Sequence, residues 1–368
     1  MAETIKIDKT GQNFSDKMVD ILNFGALNLA MSIGYQLRLF DVMDDMQGPH
    51  SAGAIASAAG LDTRYVTEWL AVMVCGGIVD LSADDSGQDL YDLPKSHADL
   101  LTRRSGNSNF GVYTQEIPLL TTCAMKSVVQ GFYSGDGVGY EHYPKFQEFM
   151  TELADAKHRQ VLVDTFLPSV DGGRLVQRLQ SGISVCDLGC AEGIAVILMA
   201  QAYPKSGFTG IDVSGDVIAK ASETASEMGI RNIRFLQRDA ASQADIHEFE
   251  SCFDYITAFD AIHDQTRPME ALKNVRFMLK PNGLFSMVDI AASSYLSENR
   301  IHPMGAFLYT VSLMHCMPVG LVDGGAGLGM MWGRQKAVDM LKSAGFDSID
   351  VTEIPNDSFN LHFLCHRD

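Results

Sequence analysis

The stretch FDAIHDQTRP, residues 259 to 268, follows a mostly apolar run, Phe253 to Ala258, and carries a histidine and two aspartates within a few positions. An imidazole changes charge near neutral pH, so His263 beside Asp264 can take a proton from a bound acceptor. The same residue types also suit a buried strand that runs into a solvated turn, with His263 packed as a wall. Asp260 in the same stretch can orient His263 or contact a cofactor. The elements around the stretch decide what it can do.

A second segment with chemical capacity lies upstream. VCDLGCAEG, residues 185 to 193, contains Asp187, Gly189, Cys190, Ala191 and Gly193 at the turn from an apolar run into a helical one. Its glycines permit a sharp turn and close approach of a ligand, and the following helix offers free N–H groups. A nucleotide cofactor is implied. The spacing is G-x-x-x-G rather than the dinucleotide G-x-G-x-x-G, and Glu192 in the turn would repel a diphosphate. A nicotinamide-dependent oxidoreductase is thereby disfavoured. Asp212, followed by Val213, ends the next strand, where a carboxylate can accept from both ribose hydroxyls. Asp239, followed by Ala240 in LQRDA, ends the third strand, where it can accept from an adenine amino group.

These residues need a scaffold of alternating strands and helices. After Gly182 the pattern runs ISVCDLG, IAVILMAQAY, FTGIDVS, DVIAKASETASEMG, IRFLQRDA, FDYITAFDA, MEALKNVRFMLK and GLFSMVDI. Apolar strands between helices predict an α/β domain with a parallel sheet covered on both faces and right-handed crossovers. RQKAVDMLKSAGF, IDVTEI and FNLHFLCH then predict a helix and a hairpin. Between MVDI and that last helix lies an insertion, residues 291 to 333. Its His302, Tyr309, His315, Met330 and Trp332 suit an acceptor pocket, or else a helical cover whose methionines pack. His302, His315 and Cys316 lack a tight ligand spacing, so no metal site is expected. The glycines of GGAGLGMMWG fit either a close backbone approach or a hinge.

The first part of the chain reads differently. MVDILNFGALNLAMSI, Met18 to Ile33, is apolar nearly all round at helical spacing and must be buried in its own core or against a second subunit. SAGAIASAAGLDTRYVTEWLAVMVCGG predicts a short helix, a turn at Gly60, and a helix capped by Asp62 and ended by Gly76 and Gly77. Two strands around Ser86 and Gly87 follow. Helix, helix and hairpin make a winged helix. Residues 51 to 95 hold seven acids against two bases, Arg64 and Lys95, so dimerisation or a lid role is expected rather than DNA binding. The expected domains are 1–100, a helical winged-helix dimerisation domain; 101–180, connecting helices; and 181–368, the cofactor-binding domain. The connecting region includes GFYSGDGVGYEHYP, read as a surface loop or a pocket wall bearing Tyr133 and Tyr143.

Bulk composition sets limits on partners. The 368 residues carry a net charge of −18, which disfavours nucleic-acid backbones and anionic membranes. Seven cysteines without a CxxC pair suggest reduced thiols. The first twelve residues lack the basic-then-apolar order of a secretory signal, and the most apolar stretch is too short to span a bilayer. A cytoplasmic protein with a small-molecule acceptor is expected.

Residues 183 to 290 resemble the S-adenosylmethionine-binding core of the class I methyltransferases, through VCDLGCAEG, GIDVS and RDA. Many members carry a second glycine where Ala191 stands. The order of domains resembles that of plant and bacterial small-molecule O-methyltransferases, and FDAIHDQTRP, IHPMGAFLYTVSLMHCMPV and GGAGLGMMWG are similar to a winged-helix group found in mycobacteria and some animals. This likeness implies a Rossmann-like, mostly parallel seven-stranded sheet with an antiparallel last strand. It also implies S-adenosyl-L-methionine as cofactor, with Phe259 and Asp260 among its contacts, and a homodimer formed through an N-terminal domain that covers the site. His263-Asp264 matches the H-D of the plant enzymes' H-D-W, whose histidine deprotonates the acceptor; Gln265 replaces the tryptophan. A non-catalytic regulator that senses the cofactor is the alternative.

Overall fold

The computed structural model describes residues 13–355 and 357–368. The stretch expected to lack a secretory signal, residues 1–12, lies outside the described residues. The chain divides into two compact units, the first ending at Pro118 and the second beginning at Leu119. The connecting segment expected over 101–180 is therefore split between them.

In the first unit the helices Phe14–Gln36, Leu39–Met46, Ala52–Ala59 and Thr63–Cys75 precede strands β1 (Asp80–Ala83) and β2 (Asp89–Asp92). The expected punctuation is present. Gly60 ends the third helix at φ +67°, and the Asp62 carboxylate accepts from the N–H groups of Arg64 and Tyr65 to start the fourth. β1 and β2 pair antiparallel from Asp80 with Asp92 to Ala83 with Asp89. The Asp84 carboxylate holds their turn by accepting from the N–H groups of Ser86 and Gln88. Trp69 anchors the core: its indole N–H donates to the Ala30 carbonyl at 2.9 Å, and Gly34 lies against its ring.

Of the two covers expected for the first helix, its own core and a second subunit, its own core supplies little. It begins four residues earlier than its apolar run, at Phe14, and buries only Ser32, Gly34 and Tyr35. Phe14, Leu22 and Phe24 are 73%, 68% and 66% exposed. Apolar side chains all round a helix need more cover than the three short helices and one hairpin beside it supply.

In the second unit the strands β3 (Ser184–Leu188), β4 (Gly207–Asp212), β5 (Ile233–Gln237), β6 (Phe253–Phe259), β7 (Leu279–Ile290), β8 (Ser348–Ile354) and β9 (Asp357–His366) form one sheet in the order β5-β4-β3-β6-β7-β9-β8. Neighbouring strands from β5 to β7 pair parallel, while β9 runs antiparallel to both β7 and β8. Apolar strands of this kind need cover on both faces. One face packs Ile256, Phe285 and Phe363 on the helices Pro268–Met278 and Gly333–Ser343; the other packs Val185 and Tyr255 on Arg174–Ser181 and Ile194–Ala202. The order reverses between β3 and β6, so the loops after these strands diverge to opposite faces and leave a crevice at their carboxyl ends.

Gly34 tests the packing of the first unit. A Cβ there would sit 2.4 Å from the buried ring of Trp69. Gly34→Ala is expected to destabilise this unit by about 1–3 kcal/mol, read as a lower midpoint in urea unfolding followed by Trp69 fluorescence; an unchanged midpoint contradicts the packing described.

Candidate functional site

The glycine turn after β3 is built by backbone hydrogen bonds. The N–H groups of Gly189 and Cys190 both donate to the Ile211 carbonyl on β4, and that of Gly193 donates to the Cys190 carbonyl. Gly189 sits at φ +71°, and a Cβ on it would lie 2.6 Å from Cβ of Ala261, in the loop after β6. Two loops from the central strands therefore touch where only glycine fits. Ala191 is held at φ +47°, a left-handed conformation costly for a residue with a Cβ. That is the position where a glycine was expected by likeness.

Three acids line the carboxyl ends of the strands. Asp212 accepts from Ala191 N–H at 3.0 Å and Ser214 N–H at 2.9 Å, which locks the turn to β4 and leaves lone pairs for a ligand. Burial raises its proton affinity. Asp187 is nearly fully buried and accepts from the Thr257 hydroxyl at 2.6 Å; burial pushes its carboxyl up to about 7. The Asp239 carboxylate accepts from Ala241 N–H at 2.8 Å and pairs with Arg267 at 2.5 Å. Val213 and Ala240 follow these acids, Val213 exposed and Ala240 buried. Glu192, read as repelling a diphosphate, pairs with Lys220 at 2.9 Å.

The loop after β6 carries the second cluster. Asp260 adopts φ +48° and accepts from the Asn360 side chain at 2.5 Å. Asn360 in turn accepts from Lys157 at 2.6 Å. Burial raises the Asp260 carboxyl to about 6. Phe259 packs edge-on against Phe166 and His158. His263, 3% exposed, is gripped from both ring nitrogens: Nδ1 lies 2.8 Å from Asp289 on β7, and Nε2 lies 3.4 Å from Asp264. Burial alone would lower its proton affinity, but Asp289 and Asp264 outweigh it and hold the imidazole well above its usual range.

The insertion reaches this cluster. A wide π turn, Ser312–Cys316, brings His315 and Cys316 inward. The Cys316 thiol approaches His315 Nδ1 at 3.6 Å and shares a close group with His263 and Asp264; burial pushes it up to about 12. His315 packs on the rings of Tyr143 and Phe146, both at 4.8 Å, and the Tyr143 hydroxyl donates to the Met314 carbonyl. Tyr140 donates to Asp264 at 3.2 Å. The GGAGLGMMWG segment makes a close backbone approach: Ala326 N–H donates to the Thr266 carbonyl, and a Cβ on Gly325 would lie 2.8 Å from Thr266.

Of the residues expected to line a pocket, Tyr143 and His315 lie beside His263. The others do not gather there. Tyr133 sits on the last turn of the helix Glu116–Ser134, 84% exposed, because that helix runs four residues into the expected loop. His302 accepts from Met304 N–H, and Tyr309 and Met330 pack with Ile290 and Leu308. Trp332 belongs to the core of the sheet. Asp289 and Asn360 were missed, since strand residues carry no local signal; the inward aspartate in an otherwise apolar MVDI was the available clue for Asp289.

Residues 179–317 match a family described as "Methyltransferase domain", and residues 25–103 match an "Rv2258c-like winged HTH domain". The demethylmenaquinone methyltransferase of Listeria monocytogenes serotype 4a is 25% identical over 115 residues, 31% of this chain and 47% of that protein. The chain spans about half or less of the curated relatives it matches. Human N-acetylserotonin methyltransferase in complex with SAM has a similar fold, with a TM-score of 0.68 at 16% identity over 98% of this chain and 99% of that one. The mitomycin 7-O-methyltransferase MmcR is similar at a TM-score of 0.66 and 15% identity, over 96% and 97%.

Asp187 makes stability depend on pH. The folded protein holds a proton there up to about 7, whereas an unfolded chain releases it near about 3.9. The native state binds more protons between those values, so stability falls as pH rises through that window. Asp187→Asn in the ligand-free protein is expected to flatten this fall in urea unfolding between pH 5 and 7; parallel profiles for the two proteins contradict the assignment.

Proposed function

Starting from a chain that joins a class I S-adenosylmethionine-dependent methyltransferase domain to an N-terminal winged-helix domain, we propose that it methylates a hydroxyl on a small-molecule acceptor, with His263 as the base. The observation that carries this reading is the His263–Asp289 pair, buried at the end of β6 beside the loop that touches the glycine turn.

The residues fit the cofactor. Gly189 leaves room where a Cβ would clash, Asp212 keeps acceptor capacity for ribose hydroxyls, and the turn offers an ion-paired acid rather than a phosphate cradle. When bound, S-adenosylmethionine supplies an activated methyl group. Asp187, Gly189, Cys190, Ala191, Gly193, Asp212 and Val213 are the residues proposed to hold it, with Phe259 and Asp260 toward the acceptor side. Asp239 and Ala240 close the adenine end, where Arg267 holds the Asp239 carboxylate.

In the resting protein Asp264 faces Nε2 of His263, so an acceptor hydroxyl must first enter between them. Nε2 must also release to solvent the proton that Asp289 and Asp264 favour there; the hydroxyl then donates to the freed Nε2, and its proton passes to the neutral imidazole as the oxygen becomes nucleophilic. Asp289 keeps Nδ1 protonated, fixing the tautomer, and stabilises the imidazolium that forms. Tyr140 restrains Asp264 through its hydroxyl, and Tyr143 and His315 form the neighbouring wall. A thioether or tertiary amine acceptor would need no base.

We also place the protein in the cytoplasm as a homodimer. Its seven cysteines are free, which suits a reducing compartment, and no described helix is long and apolar enough to cross a membrane. The exposed apolar row on the helix Phe14–Gln36 favours a second copy as its cover. The winged HTH match raises the reading of a cofactor-sensing regulator. Against it, residues 51 to 95 carry seven acids against only two bases, Arg64 and Lys95, a balance that disfavours a phosphate backbone.

His263→Ala is expected to lower turnover by about 100-fold or more while leaving cofactor affinity within a few-fold. The measurement is labelled methyl transfer into a cell extract, with the product identified by mass spectrometry; retained turnover points to an acceptor that needs no deprotonation. Leu22→Glu with Phe24→Glu is expected to shift sedimentation from dimer to monomer, and an unchanged dimer contradicts this interface.

A further inference from the structure

We propose that His263, Asp264 and Cys316 form a site for one borderline-soft divalent cation of the zinc class, and that its binding closes the acceptor end of the methyltransferase site. The binding claim stands on geometry alone; its consequence rests on the proposed role of His263.

One ligand atom from each of the three residues, an imidazole nitrogen, a carboxylate oxygen and a thiol sulfur, lies within 4.8 Å of the other two. Tetrahedral zinc with bonds of about 2.0–2.3 Å places neighbouring ligand atoms roughly 3.3–3.8 Å apart. His263 Nε2 and Asp264 Oδ1 already stand at 3.4 Å, so closing around an ion needs little movement of these two. A nitrogen, a thiolate and a carboxylate together select a zinc-class ion over magnesium or calcium, which take oxygen ligands.

Each ligand is also supported from outside, as metal ligands are. His263 Nδ1 faces Asp289 at 2.8 Å, which directs Nε2 inward. Asp264 uses its other oxygen, Oδ2, to accept from Tyr140 at 3.2 Å. Cys316 stands 3.6 Å from His315 Nδ1. Asp264 Oδ1, the oxygen turned into the trio, is buried and faces His263 Nε2 at 3.4 Å without forming a hydrogen bond. A buried carboxylate oxygen with only this long contact is under-satisfied, and a cation bound between the two groups would satisfy it. Cys316 reaches the trio through the π turn, a local widening that recurs at functional sites.

No redox step is involved. On binding, the Cys316 thiol proton and any proton on Nε2 pass to solvent, and the freed electron pairs coordinate the ion, so affinity rises with pH. Three protein ligands leave a fourth position open. With its Nε2 lone pair on the ion, His263 can no longer take an acceptor's proton, and Asp264 can no longer give way to an entering hydroxyl. The expectation of no metal site rested on spacing among His302, His315 and Cys316; the structure instead pairs Cys316 with residues more than fifty positions earlier.

The test adds cobalt(II) to the metal-free full-length protein. One equivalent is expected to produce the thiolate-to-cobalt charge-transfer band and the strong visible bands of tetrahedral cobalt, both discharged by zinc. Cys316→Ser should abolish the charge-transfer band, Cys123→Ser should keep it, and Asp264→Asn should weaken binding about tenfold or more. Circular dichroism and S-adenosylhomocysteine affinity check that each variant is folded. No charge-transfer band at one equivalent, or a band that survives in folded Cys316→Ser, overturns the site. One equivalent of zinc should also lower turnover about tenfold or more, and zinc that raises turnover overturns the closing consequence. Activity of the metal-free protein, lost or kept in His263→Ala, reports on the base separately.

Discussion

Group transfer requires donor and acceptor to be held at near-contact distance, about 3–3.5 Å, in line. In this protein that requirement falls on two loops that must touch. The turn after β3 and the loop after β6 meet at Gly189 and Ala261, where a single added Cβ would stand 2.6 Å from its neighbour. The switch in strand order places both at the same end of the sheet. Everything else in the second unit keeps them there: β4 holds the glycine turn through the Ile211 carbonyl, and β7 holds His263 through Asp289.

The same region concentrates backbone and electrostatic cost. Ala191 and Asp260, one in each loop, are non-glycine residues at positive φ. Asp187, Asp212, Asp260 and His263 all have proton affinities raised by burial or by neighbouring carboxylates. Strain and shifted titration gathered in one crevice mark a place kept for binding and chemistry rather than for stability.

Much of the fold was legible because its signals are local. Apolar runs between helices announced the parallel sheet, Asp62 and Gly60 announced the helix ends, and VCDLGCAEG announced the turn that only glycine can make. The site was legible where a motif lies on consecutive residues, as His263 and Asp264 do. It was opaque where partners come from distant elements. Nothing near Asp289 says that it faces His263, and Cys316 joins the cluster only through a π turn that no sequence period predicts. Tyr309 and Met330 pack partly buried against Ile290 and Leu308, and Trp332 lies in the core of the sheet; residue type alone does not separate core from pocket, since apolar side chains serve both.

The central claim is that the crevice beside His263 takes S-adenosylmethionine. Calorimetric titration of the full-length protein with S-adenosylhomocysteine and, separately, with NAD tests it most directly. The account predicts one-to-one binding of S-adenosylhomocysteine, lost in Asp212→Ala, and no heat of binding with NAD. Tight binding of NAD with none of S-adenosylhomocysteine would contradict it.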